Sequence, residues 1–208
     1  LELTGKTAVV IGGTTGIGRA LSLGLTDAGA SVIASSRRSE EVERTAGEIE
    51  ARGGRTLRQT SDVTERASLE KLRDAALARF EKVDILINCA GRTKRTPTLE
   101  VSEEEWSSII ECNLTGTLRG CQVFGRHMLE RGYGRIINIG SLTTCLGFKD
   151  VAAYGASKAA VGSLTKTLAV EWGPRGVNVN AIAPGVFVTD LNRALLEGSE
   201  RGKELKLR

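Results

Sequence analysis

The stretch TAVVIGGTTGIG, residues 7–18, decides the fold. Its first five residues, Thr7–Ile11, are apolar or β-branched without alternation, which predicts a short strand covered on both faces. Glycines follow at Gly12, Gly16 and Gly18, and apolar residues then recur at helical spacing. A strand that passes through a glycine-rich turn into a helix leaves backbone N–H groups and the positive end of the helix dipole free for an anion. The stretch therefore predicts a strand–turn–helix unit with an anion site at the turn.

The same alternation of strands and helices continues along the sequence. Further strands are predicted over Ser31–Ser35, residues 56–59, residues 83–88, residues 135–139 and Val177–Ile182, and residues 56–59 have the weakest pattern. Amphipathic helical segments separate the strands, which implies right-handed crossovers and a parallel sheet with helices on both faces. We predict an α/β, doubly wound parallel sheet of at least six strands that forms a single domain over residues 1–208.

Composition and charge exclude several classes of protein. The 29 basic and 25 acidic residues are interleaved and leave a net charge of +4, so we predict no nucleic-acid surface. The four cysteines and the single histidine lack the spacing of a metal site or a disulfide scaffold. No apolar run reaches the roughly 18 residues that a membrane span needs, and no signal-peptide pattern opens the sequence. These features predict a soluble, cytoplasmic protein that binds no metal and no membrane.

Unusual residues collect after the carboxyl ends of the predicted strands. In an open parallel sheet, ligands bind at this edge. The segments are residues 12–18, Arg37-Arg38, Asp62-Val63, residues 88–91, Gly140-Ser141 and Pro184-Gly185. Their convergence is a stronger indication of a binding site than any single motif.

Tyr154 and Lys158 stand four residues apart in a predicted helix, Ala152–Trp172. Residues at this spacing are neighbours on one helix face. A free phenol holds its proton too tightly for efficient proton transfer near neutral pH. A cation about 4 Å from a phenolate oxygen, at an effective dielectric constant of about 20, favours the charged form by about 4 kcal/mol. Lys158 is therefore sufficient to make Tyr154 a proton donor or acceptor.

These motifs make the chain resemble the short-chain dehydrogenase/reductase family along essentially its whole length. The resemblance rests on residues 12–18, Asp62, residues 88–91, Asn113, Ser141, Tyr154 with Lys158, and Pro184-Gly185. Two positions depart from the family pattern, since Ile11 replaces a threonine and Cys89 replaces an asparagine. Both departures concern local stability more than activity.

The resemblance implies a Rossmann-type fold and a single dinucleotide-binding catalytic domain over residues 1–208. The family also has a seventh strand, which this sequence does not supply. The family's substrate loop follows the sixth strand, and the sequence ends inside that region. We therefore expect this chain to lack its C-terminal strand and part of the substrate loop.

The resemblance implies an oxidoreductase that transfers hydride between a nicotinamide and a carbonyl or secondary alcohol. The family's four catalytic positions hold Asn113, Ser141, Tyr154 and Lys158. Tyr154 is expected to exchange a proton with the substrate oxygen, and Ser141 to hydrogen-bond the same oxygen. Lys158 is expected to hold the nicotinamide ribose, and Asn113 to fix a water that connects the lysine to solvent. The phenol and hydroxyl polarise the oxygen, so no zinc is expected.

The resemblance also assigns cofactor contacts from one end of the nucleotide to the other. The glycine turn is expected to hold the pyrophosphate, the aspartate the adenine amino group, and the residues after the last strand the nicotinamide. The expected cofactor-binding residues are Gly12, Thr14, Thr15, Gly16, Ile17, Gly18, Ser36, Arg37, Asp62, Val63, Asn88, Ala90, Gly91, Tyr154, Lys158, Pro184, Gly185 and Thr189.

The end of the second predicted strand distinguishes NADP from NAD. An acidic residue there would accept hydrogen bonds from a free 2′-hydroxyl and repel a 2′-phosphate. Here the sequence reads Ser35-Ser36-Arg37-Arg38, and a guanidinium fork suits a phosphate. Thr14 and Thr15 can add hydroxyl donors. We predict a preference for NADP(H), with two solvated helix-entry arginines as the alternative.

The substrate is less well determined by the sequence. The motifs resemble two groups of the family, enzymes acting on a sugar acid or polyol and 3-oxoacyl-carrier-protein reductases. A third alternative is a non-catalytic nucleotide-binding or redox-sensing protein, against which the intact set of four catalytic residues argues. Arg92, Lys94 and Arg95 follow a strand near the active edge. They favour an anionic substrate no more strongly than they favour a solvated loop.

The resemblance further implies a homotetramer. In the family, the helices that correspond to residues 102–128 and Ala152–Trp172 pack against symmetry-related copies. The alternative is that the outer faces of these helices are amphipathic and solvated.

Overall fold

A computed structural model of the chain describes residues 2–185. Five strands form one parallel sheet in the order β2-β1-β3-β4-β5. The strands are β1 Thr7–Ile11, β2 Ser31–Ser35, β3 Ile85–Asn88, β4 Gly134–Ile139 and β5 Val177–Ile182. The chain passes from β1 to one neighbour, β2, and then returns to the other neighbour, β3. Such a reversal opens a crevice at the carboxyl ends of β1 and β3, where doubly wound sheets bind their ligands.

Helices cover both faces of the sheet, as predicted. They are α1 Gly16–Asp27, α2 Ser39–Ala51, α3 Arg66–Phe80, α4 Glu103–Ile110, α5 Gly116–Arg131 and α6 Ala152–Trp172. Alternate residues of β1 point into two separate cores. Val9 packs with residues of α3, α5 and α6, including Phe124, whereas Val10 packs with residues of α1 and α2, including Ile49. A strand buried on both faces must be apolar at every position, which explains the unalternated pattern of β1.

The predicted strand over residues 56–59 is wrong. This segment runs beside β2, but only two backbone hydrogen bonds join them among the described residues, Val32 N–H to the Arg55 carbonyl and Ser61 N–H to the Ser36 carbonyl (2.9 and 3.0 Å). The Ser35 hydroxyl donates to the carbonyl of Gln59 (2.6 Å). The Gln59 carbonyl is therefore engaged by a side chain, and the described sheet has five strands instead of six.

The helix predicted over residues 102–128 is interrupted. α4 ends at Ile110, a π-helical turn follows over Glu111–Thr115, and α5 then continues to Arg131. The Ser102 hydroxyl caps α4 by accepting a hydrogen bond from Glu105 N–H (3.2 Å). The Glu105 carboxylate bonds to Lys94 and Thr96 instead of returning to the cap. The π-helical turn inserts an extra residue, a feature that is frequent at functional sites.

The expected nicotinamide contact Thr189 lies outside the described residues. No helix within residues 2–185 is both long and apolar enough to cross a membrane.

Candidate active site

The first two turns of α6 place Tyr154 beside Lys158. The lysine Nζ lies 5.9 Å from the centroid of the tyrosine ring. Lys158 is only 5% exposed, and its ammonium donates to the carbonyl of Ile139 at the end of β4 (2.6 Å). Burial lowers the pKa of Lys158, against weaker opposing contributions from the thiols of Cys89 and Cys112. A buried cation is thus held at the sheet edge next to a phenol.

Asn113 is fully buried in the π-helical turn and is directed at the loop that follows β3. Its Oδ1 accepts from Arg92 N–H (2.8 Å), and its Nδ2 donates to the Arg92 carbonyl (2.9 Å) and to the Ser157 hydroxyl (3.0 Å). Ser157 in turn donates to the carbonyl of Tyr154 (2.7 Å). Asn113 therefore connects the loop after β3 to the helix that carries Tyr154 and Lys158.

Ser141 follows β4 and opens a 3₁₀ turn over Leu142–Thr144. Its hydroxyl accepts from Thr143 N–H (3.2 Å), so its own proton is available to donate to a ligand. The Thr144 hydroxyl accepts from Ser141 N–H and lies within hydrogen-bond distance of the Lys158 carbonyl (both 3.2 Å). The contact between Thr144 and the Lys158 carbonyl joins the Ser141 turn to α6.

The glycine turn fits a dinucleotide pyrophosphate. Gly12 has φ +79°, and a Cβ there would lie 2.5 Å from Ala90 N, while a Cβ on Gly18 would lie 2.0 Å from the Gly12 carbonyl oxygen. Only glycine therefore permits this close approach of β1, α1 and the loop after β3. Thr15 is the N-cap residue of α1, and no side chain caps the helix there. Its first N–H groups, with no acidic residue in the first turn, suit a pyrophosphate.

The residues expected to contact the adenosine differ in their surroundings. Thr14 is buried and donates its hydroxyl proton to Ser36 Oγ (2.8 Å), so this hydroxyl supports the turn, whereas Thr15 is exposed. Burial raises the pKa of Asp62, but hydrogen bonds from Thr64 and the charge of Arg37 outweigh burial and lower it. The positive charge of Arg37 therefore acts on the Asp62 carboxylate.

Sequence reasoning missed Arg44 and Glu41 in α2. The Arg44 guanidinium lies 3.4 Å from the Thr14 carbonyl oxygen and forms an ion pair with Glu41. Glu41 also lies 3.9 Å from Arg38. The i,i+3 spacing of the two residues could have indicated the pair, but its proximity to the glycine turn depends on how α2 packs.

The loop after β3 faces the expected catalytic residues chiefly with its main chain. The Asn88 side chain points into the core, where it donates to Asn138 Oδ1 (2.8 Å) and contacts Cys121 Sγ. A ribose at this position would therefore meet its backbone. A Cβ on Gly91 would lie 3.4 Å from Asn113 Oδ1 and 3.7 Å from Lys158 Nζ. Gly91 thus lies beside two of the four expected catalytic residues.

Three further expected contacts belong to loops at the same sheet edge. Val63 is buried, and a Cβ on Gly116 would lie 2.8 Å from its Cβ, so its side chain packs against the start of α5. Pro184 follows β5, and its carbonyl accepts from Leu142 N–H (3.3 Å). Pro184 and the adjoining Gly185 therefore lie next to the turn that Ser141 opens.

The basic cluster after β3 is engaged by partners of this chain. Arg92 donates to the Ser108 hydroxyl (2.6 Å), Lys94 pairs with Glu105 (2.7 Å), and Arg95 pairs with Asp150 (3.0 Å). Two of the three cations are thus neutralised by carboxylates. Over residues 2–185, no group of three His, Cys, Asp or Glu side chains could hold a metal ion.

Comparisons with known proteins agree with this geometry. The family model described as short chain dehydrogenase matches residues 6–200. The D-threitol dehydrogenase of Mycolicibacterium smegmatis is 38% identical over 205 residues, covering 99% of this chain and 78% of the relative. The 2-dehydro-3-deoxy-D-gluconate 5-dehydrogenase of Bacillus subtilis is 39% identical over 206 residues, covering 98% of this chain and 80% of the relative.

A solved structure shows the same fold. The gluconate 5-dehydrogenase of Burkholderia cenocepacia, in complex with NADP and tartrate, superposes with a TM-score of 0.91 at 36% identity, covering 96% of this chain and 78% of that structure. The family match and these identities extend over nearly the whole chain. The protein belongs to the short chain dehydrogenase family and is an oxidoreductase that acts on alcohol groups.

Proposed function

We propose that the protein is an NADP(H)-dependent oxidoreductase that interconverts a secondary alcohol and a carbonyl on a polyol or sugar acid. The observation that carries the proposal is the buried ammonium of Lys158 beside the ring of Tyr154, 5.9 Å from its centroid. The similarity to dehydrogenases named for threitol, gluconate and 2-dehydro-3-deoxy-D-gluconate supports the substrate class.

The residues of this chain would handle the proton and the substrate oxygen. The nicotinamide, when bound, supplies or accepts the hydride. In carbonyl reduction, Tyr154 would donate its phenolic proton to the substrate oxygen, and in alcohol oxidation it would accept that proton. Ser141 donates a hydrogen bond to the same oxygen, where negative charge develops. Lys158 would stabilise the phenolate by its charge and would hold the ribose hydroxyls.

Asn113 would act by position. Its amide binds both main-chain groups of Arg92 and the Ser157 hydroxyl, so it is a positioning residue for the lysine-bearing helix. We propose that a water beside Asn113 connects Lys158 to solvent and returns the proton that Tyr154 has donated.

The preference for NADP(H) is proposed from the positive charge around the glycine turn. Arg37 is exposed in the turn between β2 and α2, where it would present a guanidinium to a 2′-phosphate. Arg44 lies against the Thr14 carbonyl, and we add it to the predicted phosphate contacts. The NADP bound in the Burkholderia cenocepacia enzyme supports this preference by similarity. Titration with NADPH and NADH tests it, and tighter binding of NADH would contradict it.

Replacement of Tyr154 by Phe tests the reaction. Loss of a general acid lowers turnover by about 10²- to 10⁴-fold, while NADPH binding, followed by fluorescence, is expected to persist. Tyr133→Phe is the matched control, because Tyr133 directly precedes β4 at the opposite edge of the sheet. Near-normal turnover by the Tyr154 variant would refute the assignment.

A substrate panel tests the substrate class. D-Threitol and D-gluconate are expected to be oxidised with NADP⁺ faster than a 3-oxoacyl thioester is reduced with NADPH. The reverse ranking would support a carrier-protein reductase. Neutral and carboxylated substrates of similar size also test the anionic-substrate hypothesis, which equal rates would contradict.

We also propose a homotetramer. Trp106 of α4 and Val170 of α6 are 42% and 78% exposed in the single chain, and large apolar side chains on these two helices suit contacts with further copies. Sedimentation velocity at micromolar concentration is expected to show a tetramer, and a monomer would contradict the proposal.

A further inference from the structure

Asp150, which lies two residues before the first residue of α6, has an uncommon backbone conformation. Its φ is +65°, in the left-handed region that residues other than glycine seldom adopt, although aspartate tolerates it better than most. Such conformations persist only where surrounding contacts hold them, and they cluster at functional sites. Those contacts must therefore be identified.

The contacts come from the loop that follows β3. The Asp150 carbonyl accepts from Thr96 N–H (2.9 Å), and the Asp150 carboxylate accepts from the Arg95 guanidinium (3.0 Å). The Asp150 side chain is 19% exposed, so water screens the ion pair only in part. Main chain and side chain of Asp150 are thus held by consecutive residues of one loop.

The same loop is fixed at two further points. At its start, the main chain of Arg92 is bound on both sides by the Asn113 amide. In its middle, the nearly buried Glu105 accepts from Lys94 Nζ (2.7 Å) and from the Thr96 hydroxyl (3.0 Å). We call residues 92–96 the clasp. The clasp connects the π-helical turn and α4 to Asp150.

The position of Asp150 bears directly on the tyrosine. Val151 is the N-cap of α6, and its carbonyl accepts from Gly155 N–H (2.8 Å), so the first helical turn is built on the residue next to Asp150. Tyr154 lies in that turn. We propose that Arg95 and Asp150 are positioning residues, and that the clasp sets the start of α6 and thereby the direction of the Tyr154 phenol.

The proposal rests on the proposed role of Tyr154 only for its kinetic readout. A small misplacement of a reacting group can cost a large factor in rate, whereas an exposed ion pair changes an equilibrium by about two- to fivefold. Asp150→Asn keeps a residue that tolerates positive φ and removes the charge. We expect it to lower kcat by about two- to fivefold. Asp150→Ala also loses that tolerance, and we expect a loss of about tenfold or more.

The decisive experiment is a double-mutant cycle with Arg95→Met and Asp150→Asn. Turnover of D-threitol or D-gluconate is measured with NADP⁺, and amide hydrogen exchange is followed over residues 92–97 and 151–158. We expect the double variant to lose no more kcat than either single variant, with unchanged KM for NADP⁺. The amide of Thr96 and those at the start of α6 are expected to exchange faster in each variant.

Asp27→Asn is the matched control, since Asp27 forms an exposed ion pair with Arg52 (2.7 Å) at the far end of α1. It is expected to leave kcat and exchange at α6 unchanged. Independent effects of the two substitutions, or unchanged exchange over residues 151–158, would overturn the proposal. A raised KM for the substrate in the Arg95 variant alone would also overturn the proposal, because this result would mean that Arg95 binds the substrate. If neither substrate reacts, hydrogen exchange still decides the clasp, and the proposed substrate class is wrong.

Discussion

Replacing Asn113 by Ala should destabilise the protein substantially, because one buried amide holds three hydrogen bonds. The bonds join it to Arg92 N–H (2.8 Å), to the Arg92 carbonyl (2.9 Å) and to the Ser157 hydroxyl (3.0 Å), and Asn113 is 0% exposed. Each such bond contributes about 1 kcal/mol net to the free energy of unfolding. Arg92 is exposed, so water can reach its freed groups in part. We therefore expect a loss of about 2–3 kcal/mol.

The loss can be measured by urea and thermal unfolding of the protein without cofactor. For a chain of this length, each kcal/mol corresponds to about 2–4 °C in Tm, so a decrease of roughly 5–10 °C is expected. Asn178→Ala is the matched control, because Asn178 lies on β5 with its side chain exposed. A surface replacement of this kind should change the free energy of unfolding by less than about 0.5 kcal/mol.

The result that would refute the reasoning is an Asn113→Ala variant as stable as the control. Retained turnover would refute the proposed positioning role of Asn113, since without its amide the loop after β3 and α6 should no longer hold Lys158 in position. A stable variant with lost turnover would show that Asn113 positions the site without contributing to the stability of the fold.

Three further predictions concern the glycine turn, the buried lysine and the thiols. Gly12→Ala, whose Cβ would lie 2.5 Å from Ala90 N at φ +79°, should weaken NADPH binding by about tenfold or more, measured by fluorescence titration. The pKa of Lys158 is lowered from its ordinary value of 10.5, so the folded state binds fewer protons than the unfolded state between the two pKa values. Stability of the wild type should therefore rise with pH through that window, and Lys158→Met, measured by denaturant unfolding, should remove this contribution. Burial raises the pKa of Cys89 to about 11, so Cys89 should react with a disulfide reagent far more slowly than the exposed Cys145, as peptide mapping would show.

Each of these has a control or a contradicting outcome. Gly24→Ala adds a methyl group with no atom within 4 Å beyond its own neighbours in α1, so it should leave NADPH affinity unchanged and stabilise α1 slightly. Equal affinities of the Gly12 and Gly24 variants would contradict the first prediction. If the free energy of unfolding depended on pH in the same way in the wild type and in the Lys158 variant, the second prediction would be contradicted. Equal reaction rates of Cys89 and Cys145 would contradict the third prediction.

Local patterns predicted most of the sheet. β1, β2 and β5 have the predicted bounds. A strand that is buried on both faces is apolar at every residue, and a strand that is buried on one face is apolar at every second residue, so either pattern can be recognised within a few consecutive residues. Residues 56–59 have a weaker pattern of the same kind, and whether they pair depends on which groups of β2 are already engaged. The Ser35 hydroxyl takes the Gln59 carbonyl, and no local pattern contains that bond.

Spacing along the chain predicted which residues meet at the sheet edge, but it could not orient their side chains. Asn88 lies at the predicted end of its strand, but its side-chain amide points into the core towards Asn138. The π-helical turn around Asn113 was predicted as ordinary helix, because one inserted residue barely changes an amphipathic pattern.

The sequence by itself determined the alternation of strands and helices, the glycine turn and the placement of Tyr154 one helical turn from Lys158. These follow from steric and periodic rules that act between residues close in the chain. Only the tertiary structure decided that Arg44 approaches Thr14, that Asn113 binds Arg92, and that Asp150 is held by Arg95. Those contacts join residues about 20 to 55 positions apart, and their formation depends on how whole helices pack, which short-range energetics do not specify.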